Sequence, residues 1–109
     1  MILDFTISNF RSIKEAQTIS FEATKDTHLE DYFIVKKDKY RILKIATILG
    51  ANASGKSNII RAFGLLHDLI LSPCENKNSE IDYDKFALDT DFVDNDSVMI
   101  VNFICGEQK

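Results

Sequence analysis

The sequence predicts an α/β fold in which an antiparallel β lobe leads into a strand, a glycine-rich loop and a helix. Three observations carry that expectation. Near the N-terminus, Leu3, Phe5 and Ile7 alternate with Asp4, Thr6 and Ser8, and Ile19, Phe21 and Ala23 alternate with Thr18, Ser20 and Glu22. At the centre, Gly50-Ala51-Asn52-Ala53-Ser54-Gly55-Lys56-Ser57 stands between an apolar run and an amphipathic segment. Beyond it, Ile59, Ile60, Phe63, Leu66 and Ile70 recur at helical spacing.

A period of two marks a half-buried strand, and the intervening Asn9 to Ala16 is short enough to join the first two strands as an antiparallel pair. Thr24 to Asp31 is polar and reads as loop. Tyr32-Phe33-Ile34-Val35 reads as a third strand, with Lys36 to Lys39 as its turn into the next. Tyr40 opens a hairpin partner that continues into Ile45-Ala46-Thr47-Ile48-Leu49, and such a near-continuous apolar run suits a parallel strand covered on both faces. In the helix, Leu65 and Leu69 widen the apolar face toward a second neighbour, and Pro73 follows its expected end. Glu75 to Glu80 reads as polar loop, Ile81 to Leu88 is ambiguous, Asp89 to Ser97 is an acidic turn region, and Val98 to Cys105 is a strongly apolar strand. The chain thus divides into an antiparallel β lobe (1–40), a strand, loop and helix (41–72), and a loop with a terminal strand (73–109).

At 109 residues the chain makes one small domain with a single core, and 45% apolar with 28% charged residues argues against a disordered chain. A formal net charge of −4 gives no sign of nucleic-acid binding by this segment, because phosphate neutralisation asks for a basic balance. Cys74 and Cys105 form no CxxC or Cys/His grouping, which fits a reducing compartment. The N-terminus meets Asp4 without a basic region, unlike a signal peptide, and the apolar stretch from Ile59 to Leu71 is broken by Arg61, His67 and Asp68, unlike a membrane span. A cytoplasmic protein with no membrane partner is expected.

The central octapeptide matches G-x-x-x-x-G-K-[ST] in full, in the strand–loop–helix context that this phosphate loop requires. Glycines at Gly50 and Gly55 let the chain close round a phosphate without side-chain collision. Backbone N–H groups from Ala53 to Ser57, joined by the positive end of the following helix, would face the β-phosphate. Lys56 would bridge β- and γ-phosphate oxygens, and the Ser57 hydroxyl would take one position on Mg²⁺. The ligand class this implies is a purine nucleoside triphosphate with magnesium, in a P-loop NTPase fold.

Other candidates are weaker. Asp89-Thr90-Asp91 and Asp94-Asn95-Asp96 lack the placed glycine and closing Glu of a calcium loop. His28 and His67 are isolated, His67 reads as a surface residue beside Asp68, and Cys105 reads as a small core residue.

Asn9-Phe10-Arg11-Ser12 after a first strand, then Gly-Ala-Asn-Ala-Ser-Gly-Lys-Ser followed by Asn58 and the Ile-Ile-x-Ala-Phe pattern, resembles the start of ABC-type ATPase head domains. The resemblance is to the branch holding RecF, the SMC proteins and the overcoming-lysogenization-defect (OLD) family. Lys85-Phe86-Ala87-Leu88 before a strand looks like the matching segment of AAA-type ATPases from prokaryotic antiviral defence systems. The resemblance implies that Gly50, Asn52, Ala53, Ser54, Gly55, Lys56, Ser57 and Asn58 bind ATP with Mg²⁺, and that Arg11 is a phosphate or base-side contact instead of an ordinary surface arginine. It implies a homodimer of ATPase heads in the full-length protein, a downstream effector protein, and DNA contacts only through other regions. It also exposes missing parts. Val98-Met99-Ile100-Val101 leads into Asn102-Phe103 in place of the Walker B Asp-Glu, the glycines Gly50, Gly55, Gly64 and Gly106 leave no Leu-Ser-Gly-Gly-type loop, and no Gln occurs between Arg61 and Asn102. The chain therefore reads as an N-terminal fragment that binds ATP and hydrolyses it only in the complete dimer. The alternative is a nucleotide-binding interaction module that does not hydrolyse. A small P-loop kinase fits less well, for want of lid arginines beyond Arg11, Arg41 and Arg61.

Overall fold

The computed structural model describes residues 1–51, 55–72, 80–81 and 83–106. The alternating N-terminal segment forms β1 (Ile2–Ser8), with Leu3, Phe5 and Ile7 buried on one face. It pairs antiparallel with β2 (Gln17–Ser20) in the register Phe5 to Ile19 and Thr6 to Thr18. On its other edge β1 pairs antiparallel with β5 (Val98–Phe103), placing Phe5 against Val101 and Ile7 against Met99. The sheet order is β2-β1-β5, so a strand from the far end of the chain completes the N-terminal sheet.

After β2 the chain joins a second sheet. Phe21 donates its N–H to the Leu3 carbonyl (2.7 Å), and the Leu43 N–H donates to Phe21 (2.7 Å). A short helix α1 (Glu30–Phe33) then leads into the antiparallel hairpin of β3 (Ile34–Lys37) and β4 (Tyr40–Leu43). Here the strand expected over Tyr32 to Val35 is corrected, because Tyr32 and Phe33 lie in the helical turn. Leu29 takes a left-handed backbone (φ 55°) that starts this turn, and the Tyr32 N–H bonds back to the Leu29 carbonyl (3.1 Å). The expected turn over Lys36 to Lys39 tightens to Asp38-Lys39, with Asp38 at φ 53° between the paired Lys37 and Tyr40. A positive φ is what two-residue hairpin connections ask for.

The parallel strand expected over 45–49 is not formed. Residues 45–50 have no ladder partner among the described residues, and Leu49 is 87% exposed. An apolar run persists as an inner strand only where neighbours on both edges take up its backbone groups, and no described strand pairs with it. The helix α2 (Lys56–Leu71) does form, and it covers the buried face of the β2-β1-β5 sheet. Ile59, Ala62, Phe63 and Leu66 supply the contact stripe at i, i+3, i+4 and i+7, against Phe5, Ile7, Phe10 and Ile13. The Phe5 and Phe63 rings lie 4.5 Å apart, and Phe21 meets Phe63 edge-on at 6.0 Å. Pro73 and most of the expected Glu75 to Glu80 loop lie outside the described residues.

Described residues from 80 to 89 are irregular, and the acidic region holds one helical turn, α3 (Thr90–Val93). The Asp89 carboxylate starts it by accepting the Asp91 N–H (3.1 Å). Cys105 is exposed, correcting its expected place in the core. β5 ends at Phe103, and the Cys105 carbonyl takes a hydrogen bond from Lys37 Nζ (3.2 Å). Among the described residues no helix is long and apolar enough to cross a membrane.

Two outcomes follow from this packing. Phe63→Ala should lower the unfolding free energy by about 3–5 kcal/mol. Ile60→Ala, at a site 62% exposed on the same helix, should change it by less than about 0.5 kcal/mol. Urea denaturation of both variants checks the pair. The second concerns acid. Glu30 holds Lys36 (2.8 Å) and Arg41 (2.9 Å), and its carboxyl is lowered below its ordinary value, first by the Lys36 hydrogen bond. A depressed carboxyl stabilises the fold above the unfolded-state value, and that contribution is lost as pH falls through the folded one. Glu30→Gln should flatten the acid limb of stability below the carboxylate range while changing the neutral-to-alkaline trend little, read as urea midpoints across pH.

Candidate phosphate-binding site

The loop from Gly50 to Ser57 begins at the end of the unpaired apolar run and ends on the first turn of α2. Asn52, Ala53 and Ser54 lie outside the described residues, so the site is built from its two flanks. Gly55 is the N-cap of α2 at φ 92°, a left-handed conformation that glycine takes without strain. Its carbonyl accepts the N–H groups of Asn58 (3.0 Å) and Ile59 (3.2 Å), which starts the helix. A Cβ at this position would stand 3.3 Å from Ser12 Oγ, so the absent side chain also admits the β1–β2 turn.

Among the described residues no side chain caps this helix end, and its first turn holds no acidic residue. Helix N-termini usually recruit an acid or a hydroxyl to meet their unbonded N–H groups and positive potential. Here the first helical residue is a lysine, the sign that the macrodipole disfavours. The Lys56 ammonium reaches back to the carbonyls of Gly50 (2.7 Å) and Ala51 (2.6 Å). Those two bonds tie the first helical residue back to the start of the loop. Ser57 is exposed on the same turn. The combination suits a multiply charged anion, with Lys56 placed to exchange carbonyl partners for phosphate oxygens.

Asn58, expected at the nucleotide, is already occupied in the fold. Its Nδ2 donates to Ser12 Oγ (2.7 Å), and its Oδ1 accepts from Arg61 Nη1 (3.4 Å). It thereby fastens the helix start to the turn after β1. Arg11 sits one residue before Ser12 and turns elsewhere. Its Nη2 pairs with Asp84 (3.0 Å), its N–H donates to the Asp84 carbonyl (2.8 Å), and its guanidinium lies 5.8 Å from the Phe10 ring centroid. With Arg61, Gly64, Leu65, Asp68 and Tyr83 it borders a recess midway along α2, away from the loop. Buried Arg11 Nε has no hydrogen-bond partner among the described residues. The structure therefore brings Gly55, Lys56, Ser57 and Asn58 together and leaves Arg11 outside that group.

Asn9 is a structural residue that sequence reasoning missed. It is 2% exposed and has φ 50°. Its Nδ2 donates to the Asn95 carbonyl (2.8 Å), its Oδ1 accepts the Phe86 N–H (3.1 Å), and its carbonyl accepts the Ser97 hydroxyl. A signal was present in the residue type, since Asn tolerates the left-handed region and can bond at both ends of its amide. Lys14 and Asp89 (2.7 Å) add a bridge from the same turn, which holds the lysine above and the aspartate below its ordinary pKa, chiefly through their mutual hydrogen bond.

The remaining candidates stay unsupported. His67 is exposed and touches Asp68 (3.2 Å), and among the described residues no group of three His, Cys, Asp or Glu is set to hold a metal ion. A groove of about 450 Å³ does adjoin the loop, starting at Gly55 and Ser12 and floored by Ile13, Ile19 and Ile59.

Asn9→Ala should cost about 1–3 kcal/mol, because it removes the bonds of a buried amide to the Asn95 carbonyl and the Phe86 N–H and leaves a side chain with a weaker tolerance for positive φ. Chemical denaturation measures it, and a loss under about 0.5 kcal/mol would show that the amide is idle.

Comparison with protein-family models, with curated proteins and with solved structures finds no match to this chain.

Proposed function

We propose that the chain binds the triphosphate of ATP with Mg²⁺ at Gly50–Ser57, as the N-terminal portion of an ABC-type ATPase head of the RecF/SMC/OLD-like branch. The observation that carries the proposal is the pairing of a full G-x-x-x-x-G-K-[ST] pattern with a helix that starts at Gly55, φ 92°, and a Lys56 ammonium that bonds back to the Gly50 and Ala51 carbonyls. Lys56 would neutralise β- and γ-phosphate oxygens. Ser57 would offer its hydroxyl to Mg²⁺, which when bound screens the phosphate charge, and backbone N–H groups at the start of α2 would orient the β-phosphate. Asn58 is assigned to positioning the loop through Ser12.

Hydrolysis belongs to a fuller assembly in this reading. Phosphoryl transfer is accelerated by placed charges around the γ-phosphate and by a group that orients the attacking water. β5, the apolar strand after the loop, runs antiparallel to β1 and leads to Asn102 and Phe103 without a carboxylate pair. A complete protein with paired heads, working in the cytoplasm on DNA or through an effector in antiphage defence, is the proposed setting. A second reading, a nucleotide-binding module that acts through a protein partner without hydrolysis, draws on exposed Ile60, Ile70, Leu71 and the unpaired run at 45–49.

Titration of the chain with ATP in excess Mg²⁺ should give saturable heat, and Lys56→Ala should weaken binding by about 1.5–3 kcal/mol, tenfold or more in Kd. The chain alone should release no phosphate above background. Absence of heat from both ATP and GTP would overturn the proposal.

A further inference from the structure

We infer that the exposed face of α2 pairs antiparallel with α2 of a second copy of the chain, about a two-fold axis close to Gly64. The inner face of the helix packs on the sheet through Ile59, Ala62, Phe63 and Leu66. On the outer side Ile60, Arg61, Gly64, Asp68 and Leu71 recur at helical spacing and are all exposed. Ile60 and Leu71, 62% and 65% exposed, leave two large apolar side chains near the two ends of this stripe. Between them stands Gly64. Glycine in a helix interior is unfavourable, and the packing of this chain does not ask for it. A Cβ at Gly64 would meet nothing within 4 Å among the described residues. The missing side chain does let the backbone of another helix come close.

The charges of the stripe name the occupant. In an antiparallel pair about a two-fold axis, residues equally far on either side of the axis meet along the same flank. Arg61 and Asp68 stand about one turn before and after the midpoint of Gly64 and Leu65, on one flank of the stripe. Each Arg61 would therefore meet the partner's Asp68. Ile60 and Leu71 lie on the other flank about nearly the same midpoint, so the apolar side chains meet as well. Both charges are available for this. Among the described residues Arg61 makes one long bond to Asn58 (3.4 Å), and Asp68, 77% exposed, meets exposed His67 (3.2 Å). A parallel pair would set Arg61 beside Arg61 and Asp68 beside Asp68, which like-charge repulsion disfavours. One helix pair buries less than a standard protein interface, so the dimer is a weak one that forms at high protein concentration. The contact runs along the helix, needs no nucleotide and is independent of the phosphate-binding proposal.

Sedimentation velocity of the chain without nucleotide, across rising protein concentration, provides the test. A dimer should appear at the high end and weaken as salt is added. Arg61→Glu and Asp68→Arg should each weaken association at least about tenfold, because the two-fold axis repeats every like-charge contact. An equal mixture of these two variants should associate again, since the hybrid regains opposite charges at both contacts. Damage to the fold could not give that recovery. Gly64→Leu, at a position open to 4 Å among the described residues, should keep the urea midpoint and abolish association. A chain that stays monomeric at every concentration would overturn the inference and leave this face to a different partner. A dimer that the variants and their mixture do not move would overturn it too. Neither result bears on the phosphate site.

Discussion

The amide of Asn9 holds two parts of this molecule in one place. It ends β1 in a left-handed conformation that redirects the chain, and it spends its donor and acceptor on the segment near residues 86–96. Three residues on, Ser12 grips Asn58 at the start of α2. Phe10 and Ile13, which bond to each other across the turn through both backbone pairs, press into the core beneath the helix. One six-residue turn therefore sets where the helix start lies relative to the sheet. A buried amide whose donor and acceptor are both engaged fixes geometry, because another arrangement of the turn would break those bonds.

Around that turn the core is small and lopsided. Helix α2 buries one stripe and exposes another, so Ala62 is sealed while Ile60 and Ile70 face solvent, each 62% exposed. The run at 45–49 shares this condition. Its residues are more apolar than an exposed loop needs, and its backbone has no ladder among the described residues. The run at 45–49 ends at the loop, whereas the exposed stripe of α2 extends from Ile60 to Ile70 at the far end of the helix.

A lysine at the positive end of a helix is locally unfavourable, and two loop carbonyls accept its ammonium. Arg11, by contrast, has its charge met by Asp84 and its ring-stacking surface by Phe10, which makes it a strut for the segment after α2.

The sequence by itself determined the local elements and the chemistry of the loop. Alternation placed β1 and β2, an apolar run placed β5, helical spacing placed α2, and the glycines with Lys56 and Ser57 matched the phosphate-loop pattern, because each rests on short-range rules of period and side-chain type. Tertiary structure alone decided that β5 returns to β1, that Tyr32 and Phe33 coil under Leu29, and that the apolar run at 45–49 has no ladder partner among the described residues. It also decided the separate fates of Arg11 and Ser12, adjacent residues sent to Asp84 and to Asn58. The physical reason is common to all of these. Strand pairing and side-chain partnership depend on groups dozens of residues away, and a period read along the chain carries no information about which of them arrives.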